Sequence, residues 1–281
     1  MAPKPILELL PDPSFLTLKD FTYAYRDMGE KPDARSRHSK APLLLLHGFG
    51  GDMNAWYFSQ GPLSRNRRVL CPDFPGHGQS DLDVGNGGPE HFANGLKALL
   101  EALEIDHAHL CGHSMGGSVA LAFALRYPEH VASLCLVNPA GLGPELDLQW
   151  FQRYAEAKTA QDLFACLQPL TPNPTLITEK MIAYALEQRQ RTGQSLKQLA
   201  APSLAAQGQA YNYAPRLPDI ACPALVIWGK EDPILPLHQT ASLPEKFSLK
   251  VLDGIGHMPP QEDPSLFNRL LSDFLAQQDR L

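Results

Sequence analysis

Short apolar runs recur along this chain, and their spacing confines it to one fold class. They are "FTYAYRD", "PLLLLHG", "RRVLCPD", "HAHLCGH", "VASLCLVNP", "PALVIWG" and "LKVLDG". The first alternates at period two, as a strand with one buried face does. The others are continuous and end in turn residues, which suits parallel strands covered on both sides. Helical patterns lie between them. Phe92, Leu96, Leu99, Leu100 and Leu103 fall on one helix face, and Leu266, Phe267, Leu270, Leu271, Phe274 and Leu275 on another. Strand and helix in alternation predict an α/β protein with a mostly parallel central sheet flanked by helices.

One stretch breaks the alternation. From Gly141 to Asp219 no strand pattern appears. Instead there are four helical pieces, "ELDLQWFQRYAEAK", "AQDLFACLQ", "TLITEKMIAYALEQRQ" and "QSLKQLAAPSLAAQG". A crossover between neighbouring strands needs one helix, so the excess reads as a cap over residues 141–219. The core is then 1–140 together with 220–281. A chain of 281 residues, 44% hydrophobic, has enough apolar material for one core with such an insertion.

Charge and cysteine usage narrow the partners. The chain carries 24 Lys and Arg against 30 Asp and Glu, a net charge of -6. It has no dense basic run, so nucleic acid and membrane are not expected partners. The basic cluster "RNRRVL" reads as the solvated start of a strand. The 5 cysteines are scattered and odd in number, which points to reduced thiols rather than a disulfide framework. The opening "MAPKPILELLPDPS" is too short and too proline-broken for a signal peptide, and no run reaches transmembrane length. A soluble cytoplasmic chain is expected.

The chemistry centres on "HLCGHSMGGSVALAFALRYP", where glycines surround Ser114 between a strand and a helix. Gly-x-Ser-x-Gly by itself is weak evidence, arising by chance in roughly one chain in ten of this size. The strand-to-helix setting makes it informative: such a corner is sharp, and side chains at 112, 116 and 117 would collide. A serine hydroxyl needs a base, and the base an orienting acid. "VIWGKEDPILP" puts Asp232 just past one strand, and "VLDGIGHMPPQEDP" puts His257 after the next. Ser, Asp, His is the chain order of this corner motif, and parallel strands bring all three to one sheet edge. Glu231 is a rival acid; Asn138, at the end of "SLCLVNP", occupies another acid position but cannot carry the charge. His47, His77 and His113 also lie near the presumed site. None of them follows the last strand, and the first two are expected to bond backbone. Oxyanion donors are expected from the backbone N–H groups of Met115 and of Phe49 in "LLLLHGFGGDMNAW".

Together "HGFGGD", "DFPGHGQS", "GHSMGG", "WGKEDPILP" and "GHMPPQEDP" resemble the α/β-hydrolase superfamily over roughly residues 20 to 277. The resemblance implies the α/β-hydrolase fold with a helical cap inserted after the sixth strand, and no catalytic role for Asp73 or His77. "HGFGGDMNAW" and "NPAGLGPE" more narrowly resemble the hydrolase-type C-terminal domain of acetoin dehydrogenase dihydrolipoamide acetyltransferases. About forty residues precede the core, with no lipoyl-like pattern, so a free-standing relative is expected. Within the superfamily, serine at the corner excludes the epoxide and dehalogenation chemistry that uses aspartate there. Ester hydrolysis through an acyl-serine is the leading expectation. Carbon–carbon hydrolysis of a diketone, acyl transfer or thioester hydrolysis are the alternatives, and a non-catalytic receptor keeping the triad is the non-enzyme reading. A small-molecule ester or other acyl substrate is implied, without metal or organic cofactor. Its wall is expected from Trp150, Phe151, Tyr154 and Met181, with Phe164 and Tyr184 as further candidates.

Overall fold

The computed structural model describes residues 10–19, 21–30, 40–205 and 208–280, without side-chain placement for 201–205. Most of the opening segment considered above as a leader lies outside the described residues, as do 206 and 207 near the end of the fourth helical pattern. An eight-stranded sheet runs β1-β2-β4-β3-β5-β6-β9-β10. Its strands are β1 (Ser14–Leu18), β2 (Phe21–Met28), β3 (Leu43–Leu46), β4 (Val69–Pro72), β5 (Ala108–His113), β6 (Val131–Val137), β9 (Ala224–Gly229) and β10 (Phe247–Leu252). The pairs β1/β2 and β2/β4 are antiparallel and all the others parallel. Each apolar run named above becomes a strand. β1 was not anticipated; it is a mostly exposed edge strand without a buried stripe to announce it.

The continuous run of β3 shows why the central strands do not alternate. Leu44 and Leu46 enter the hydrophobic layer beneath α2 (Pro89–Ala102) and α3 (Met115–Arg126), while Leu43 and Leu45 enter the layer beneath α1 (Tyr57–Ser64) and α8 (Pro264–Gln278). A strand with cover on both faces must be apolar at every position. All four leucines are fully buried, each contributing about 1.5–3 kcal/mol of hydrophobic stabilisation. The predicted faces of α2 and α8 supply that cover: Phe92, Leu96, Leu99 and Leu100 on one side, Phe267, Leu271, Phe274 and Leu275 on the other.

Between β6 and β9 the chain leaves the sheet and forms α4 (Leu148–Glu156), α5 (Ala160–Leu167) and α6 (Glu179–Ser203). Three helices replace the four expected, because the last two patterns are one continuous helix. Gly193 lies inside it at a tolerable cost of about 1 kcal/mol relative to alanine. A minimal ladder, β7 (Leu204–Ala205) with β8 (Gly208–Gln209), follows where no strand was expected. The short α7 (Pro259–Glu262) precedes α8. Among the described residues no helix is long and apolar enough to cross a membrane, and the five cysteines are free thiols, all but Cys222 buried.

The basic cluster is only partly solvated: Arg65 and Asn66 are exposed. Arg67 and Arg68 are buried. Arg68 makes a two-pronged contact with Asp27 of β2 at 2.8–3.3 Å. Arg67 holds Asp279, just past α8, at 2.7 Å, and His109 Nε2 lies 3.6 Å from the same carboxylate. Sequence could not reveal these pairs because each partner is distant along the chain. Removing the carboxylate of Asp279, which lies at the surface, leaves the buried guanidinium of Arg67 without its counter-charge. Asp279→Asn should therefore lose about 1–2 kcal/mol in urea unfolding, between the values for exposed and buried pairs. The site described below, at the opposite ends of the parallel strands, should be unaffected per folded molecule.

Candidate active site

Ser114 is the only residue between β5 and α3. Its backbone adopts φ 52 and ψ -117, outside the regions comfortable for a side-chain-bearing residue. Four backbone hydrogen bonds hold it there: Ser114 N–H donates to Val137 O at 3.0 Å, and its carbonyl accepts from Gly117 at 2.9 Å, Ala140 at 3.0 Å and Ser118 at 3.3 Å. The fence of glycines has a steric cause. A Cβ on Gly112 would strike the carbonyl of Gly116, and one on Gly116 would strike the carbonyls of Leu46 and His47 at the end of β3. On Gly117 it would stand 2.6 Å from Pro139 Cβ. Helix α3 therefore starts in backbone contact with two strands, with the serine side chain directed into a cavity.

Asp232 and His257 lie in the loops after β9 and β10, as their spacing implied. Asp232 Oδ1 accepts the N–H groups of Ile234 at 2.8 Å and Leu235 at 3.1 Å, and Oδ2 meets His257 Nδ1 at 2.7 Å. Burial alone would raise this carboxyl. His257, the Asn138 amide and the Leu235 N–H outweigh it and hold the group below the usual carboxylate range. A proton on Nδ1 leaves the lone pair on Nε2, the tautomer a general base requires. Glu231 is engaged elsewhere, its carboxylate accepting the Ile255 N–H at 3.1 Å.

The loop after β3 closes the third side. A Cβ on Gly48 would stand 3.2 Å from Ser114 Cβ, so this backbone passes directly beside the serine. Phe49 and Met115 flank the same cavity of about 1030 Å³, which Ser114 and His257 also line. Trp150, Phe151, Tyr154 and Met181 are in its wall, and so is Tyr184. Phe151 stacks on Phe49 with ring centroids 4.2 Å apart, and Trp150 on Tyr154 at 5.0 Å. Phe164 is not in the wall: it sits on the solvent side of α5 and is 47% exposed. Among the described residues no cluster of three or more His, Cys, Asp or Glu could hold a metal.

A family model for the alpha/beta hydrolase fold matches residues 41–264. The chain belongs to that family. A dihydrolipoyllysine-residue acetyltransferase component of the acetoin cleaving system from Pseudomonas putida is 37% identical over 84% of this hydrolase-fold chain, which spans 64% of that relative's length. A 2-hydroxy-6-oxo-6-phenylhexa-2,4-dienoate hydrolase from Burkholderia cepacia is 34% identical over 83% of the chain and 87% of the relative. In structure, a meta-cleavage product hydrolase from Pseudomonas fluorescens IP01 superposes with a TM-score of 0.82, covering 94% of this chain and 97% of that one at 23% identity, a likeness of fold.

Several histidines surround the corner, and their environments separate them. His47 Nδ1 meets Gly48 O at 2.8 Å and its Nε2 accepts the Phe74 N–H at 3.0 Å. His77 Nδ1 meets Pro75 O at 3.2 Å. His113 Nε2 meets His257 O at 2.7 Å, so it packs beneath the corner and also steadies the loop carrying His257. Two contributors escaped the sequence reading. Glu262 accepts the N–H groups of Gly256 and Met258, on either side of His257, at 2.9–3.0 Å; only its place shortly after the histidine hints at this. Asp52 in the cavity wall accepts the hydroxyl of Tyr184, tying α6 to the loop after β3, a long-range contact with no local signal.

Burial lowers the histidine pKa values, to about 4 for His47, about 3 for His113 and well below the ordinary value for His77. Such groups favour the fold fully above pH 6.5. Below it the unfolded chain takes up protons that the folded one refuses, so stability falls as pH drops toward the folded pKa. Asp73, raised to about 7 by burial and by Asp52, acts in the opposite sense and offsets one histidine. Net stability should fall between pH 6.5 and pH 5. In urea titrations, His47→Asn should lessen that fall by about 2 kcal/mol, one histidine's share over this interval.

Proposed function

We propose that this chain is a serine hydrolase of carboxylic esters, with residues 141–219 acting as a cap on a core formed by 1–140 and 220–281. The observation that carries the reading is the 2.7 Å contact between His257 Nδ1 and Asp232 Oδ2, made beside an apolar cavity into which Ser114 also projects. In this reading His257 Nε2 takes the Ser114 proton as Oγ attacks the ester carbonyl. The N–H groups of Phe49 and Met115 stabilise the oxyanion, and Asp232 holds the imidazole in its tautomer and balances the imidazolium charge. The tetrahedral intermediate expels the alkoxide, which leaves with the proton from His257. Water then attacks the acyl-Ser114 ester, its proton going to Nε2 and on to Ser114 as the acid departs.

Trp150, Phe151, Tyr154 and Met181 are proposed to contact the substrate. The composition of the wall supports a neutral one. Among the described residues its one lysine or arginine is Lys180, which is exposed. Relatives named as dienoate hydrolases give a second reading, carbon–carbon hydrolysis on the same triad. A dienoate carries a carboxylate, and the cavity interior offers that charge no arginine or lysine. Acyl transfer is a third reading, suggested by the acetyltransferase components.

Rates on p-nitrophenyl esters of increasing acyl length, beside a phenyl-substituted hydroxy-oxo-dienoate, test the first two; turnover of the dienoate alone would reject the esterase reading. Ser114→Ala should abolish ester turnover with the fold intact. Asp232→Asn should lower kcat by about 10⁴-fold, while Glu231→Gln stays within a few-fold; the reverse ranking would move the acid to Glu231. Partition of one activated ester between water and millimolar dihydrolipoamide should give free acid as the main product. Predominant S-acyl product would favour the transferase.

A further inference from the structure

The end of β6 holds a residue whose chemistry the triad reading leaves unexplained. Asn138 is fully buried and has φ 40, one of four non-glycine residues with positive φ among those described; Ser114 is another. Its backbone N–H donates to Ile227 O at 2.9 Å, continuing the contact of β6 with β9 one residue beyond the strand. The left-handed turn then points the side chain toward the loops of the acid and the base. Its Oδ1 accepts the Gly229 N–H at 3.1 Å. Its Nδ2 donates to Gly256 O at 3.3 Å and to Asp232 Oδ2. One donor and two acceptors around the amide admit a single orientation, nitrogen toward the carboxylate.

The geometry points to Asn138 as a positioning residue for Asp232, holding by hydrogen bond the same carboxylate oxygen that receives the Nδ1–H of His257. The inference rests on the triad reading above. Asp232 Oδ1 is fixed by two backbone N–H groups of its own loop. Asn138 fixes Oδ2 from a different strand, so the carboxylate plane cannot rotate away from the imidazole. Asparagine suits this place as aspartate would not. A second carboxylate would face Asp232 with an acceptor and a like charge, and the pair would compete for one proton. Burial keeps water from substituting for the amide. Asparagine is also among the few residues with a side chain that tolerate positive φ.

Drawing charge from Oδ2 tempers the attraction of the carboxylate for a protonated His257. Without the amide, Asp232 stabilises the imidazolium more strongly and is less well oriented, so the base should be protonated at higher pH and the reaction slower. The other titratable groups around the pair are His113 on β5, with ring centroids 4.9 Å from His257, Glu231 in the acid loop and Glu262 on α7, all retained in the variants.

Two variants test this. Asn138→Gly keeps the backbone conformation and deletes the amide; Asn138→Asp keeps the shape and exchanges the donor for a carboxylate. Titration of His257 by NMR of ¹⁵N-histidine-labelled protein needs no substrate and reads the pair even if the esterase assignment fails. In both variants the His257 titration should move to higher pH, further in Asn138→Asp. On the best ester, with enzyme counted by fluorophosphonate labelling of Ser114, kcat should fall about 10- to 100-fold with KM little changed. The acid limb of kcat/KM should follow the NMR shift. A His257 titration unmoved in Asn138→Gly of unchanged Tm would overturn the inference, whatever the loss of rate. If the titration shifts while Ser114→Ala still turns over ester, the positioning holds and the nucleophile assignment fails.

Discussion

The contact on which the site depends is the near-touch of backbones at the start of α3. Gly116 lies against the carbonyls that end β3, and Gly112 against Gly116 itself. No side chain fits in either place. Because the helix begins so close to the sheet, Ser114 is forced into its unusual backbone conformation, and its side chain has only the cavity to enter. The same closeness brings Gly48, next along from β3, beside the serine, so the loop carrying Phe49 is positioned by the steric fit that exposes the hydroxyl. One packing constraint thus sets Ser114 and the loop of Phe49 side by side before any hydrogen bond is counted.

Electrostatics then divides the polar groups at the corner. Histidines whose nitrogens bond backbone in a dry interior are pushed low and remain neutral, which suits a packing role. Asp232 is equally dry but receives several donors, and they reverse the effect of burial. The difference is one of partners rather than depth. An acid with two backbone N–H groups on one oxygen and a histidine and an amide on the other is held low, whereas Asp73, which also accepts two backbone N–H groups but lies buried beside a second carboxylate, is raised to about 7.

Much of this was legible in sequence where the signal was local. The strands of the parallel sheet were continuous apolar runs because both faces are covered. The corner was a glycine pattern because its sterics act within a few residues. The loops of Asp232 and His257 could be found because each directly follows a strand. What escaped depends on distant partners. "RNRRVL" looked solvated because Asp27 and Asp279 stand far from it in the chain. The α6 helix was divided in two because Gly193 is a local breaker that tertiary context overrides. Phe164 looked like a wall residue on composition alone, since nothing local says which face of α5 meets the cavity. Asn138 was dismissed because it cannot be an acid, a correct statement that overlooked what an amide can do for one.

The helices inserted between β6 and β9 and the loop of His257 are less separate than their places in the chain suggest. His257 N–H donates to Leu170 O at 2.7 Å, and Thr171 donates its hydroxyl to Glu262, the carboxylate that also accepts the N–H groups flanking His257. Leu170 and Thr171 lie between α5 and α6, in the stretch inserted between β6 and β9. On the other wall Tyr184 of α6 reaches Asp52 in the loop after β3. The insertion therefore braces the loop of His257 on one side of Ser114 and the glycine-rich loop on the other. A change in how α5 and α6 pack would reach the chemistry through two hydrogen-bonded loops as well as through the shape of the cavity. On the proposed reading, substitution of a cavity-wall residue in α4 or α6 should consequently be read on kcat as well as on KM.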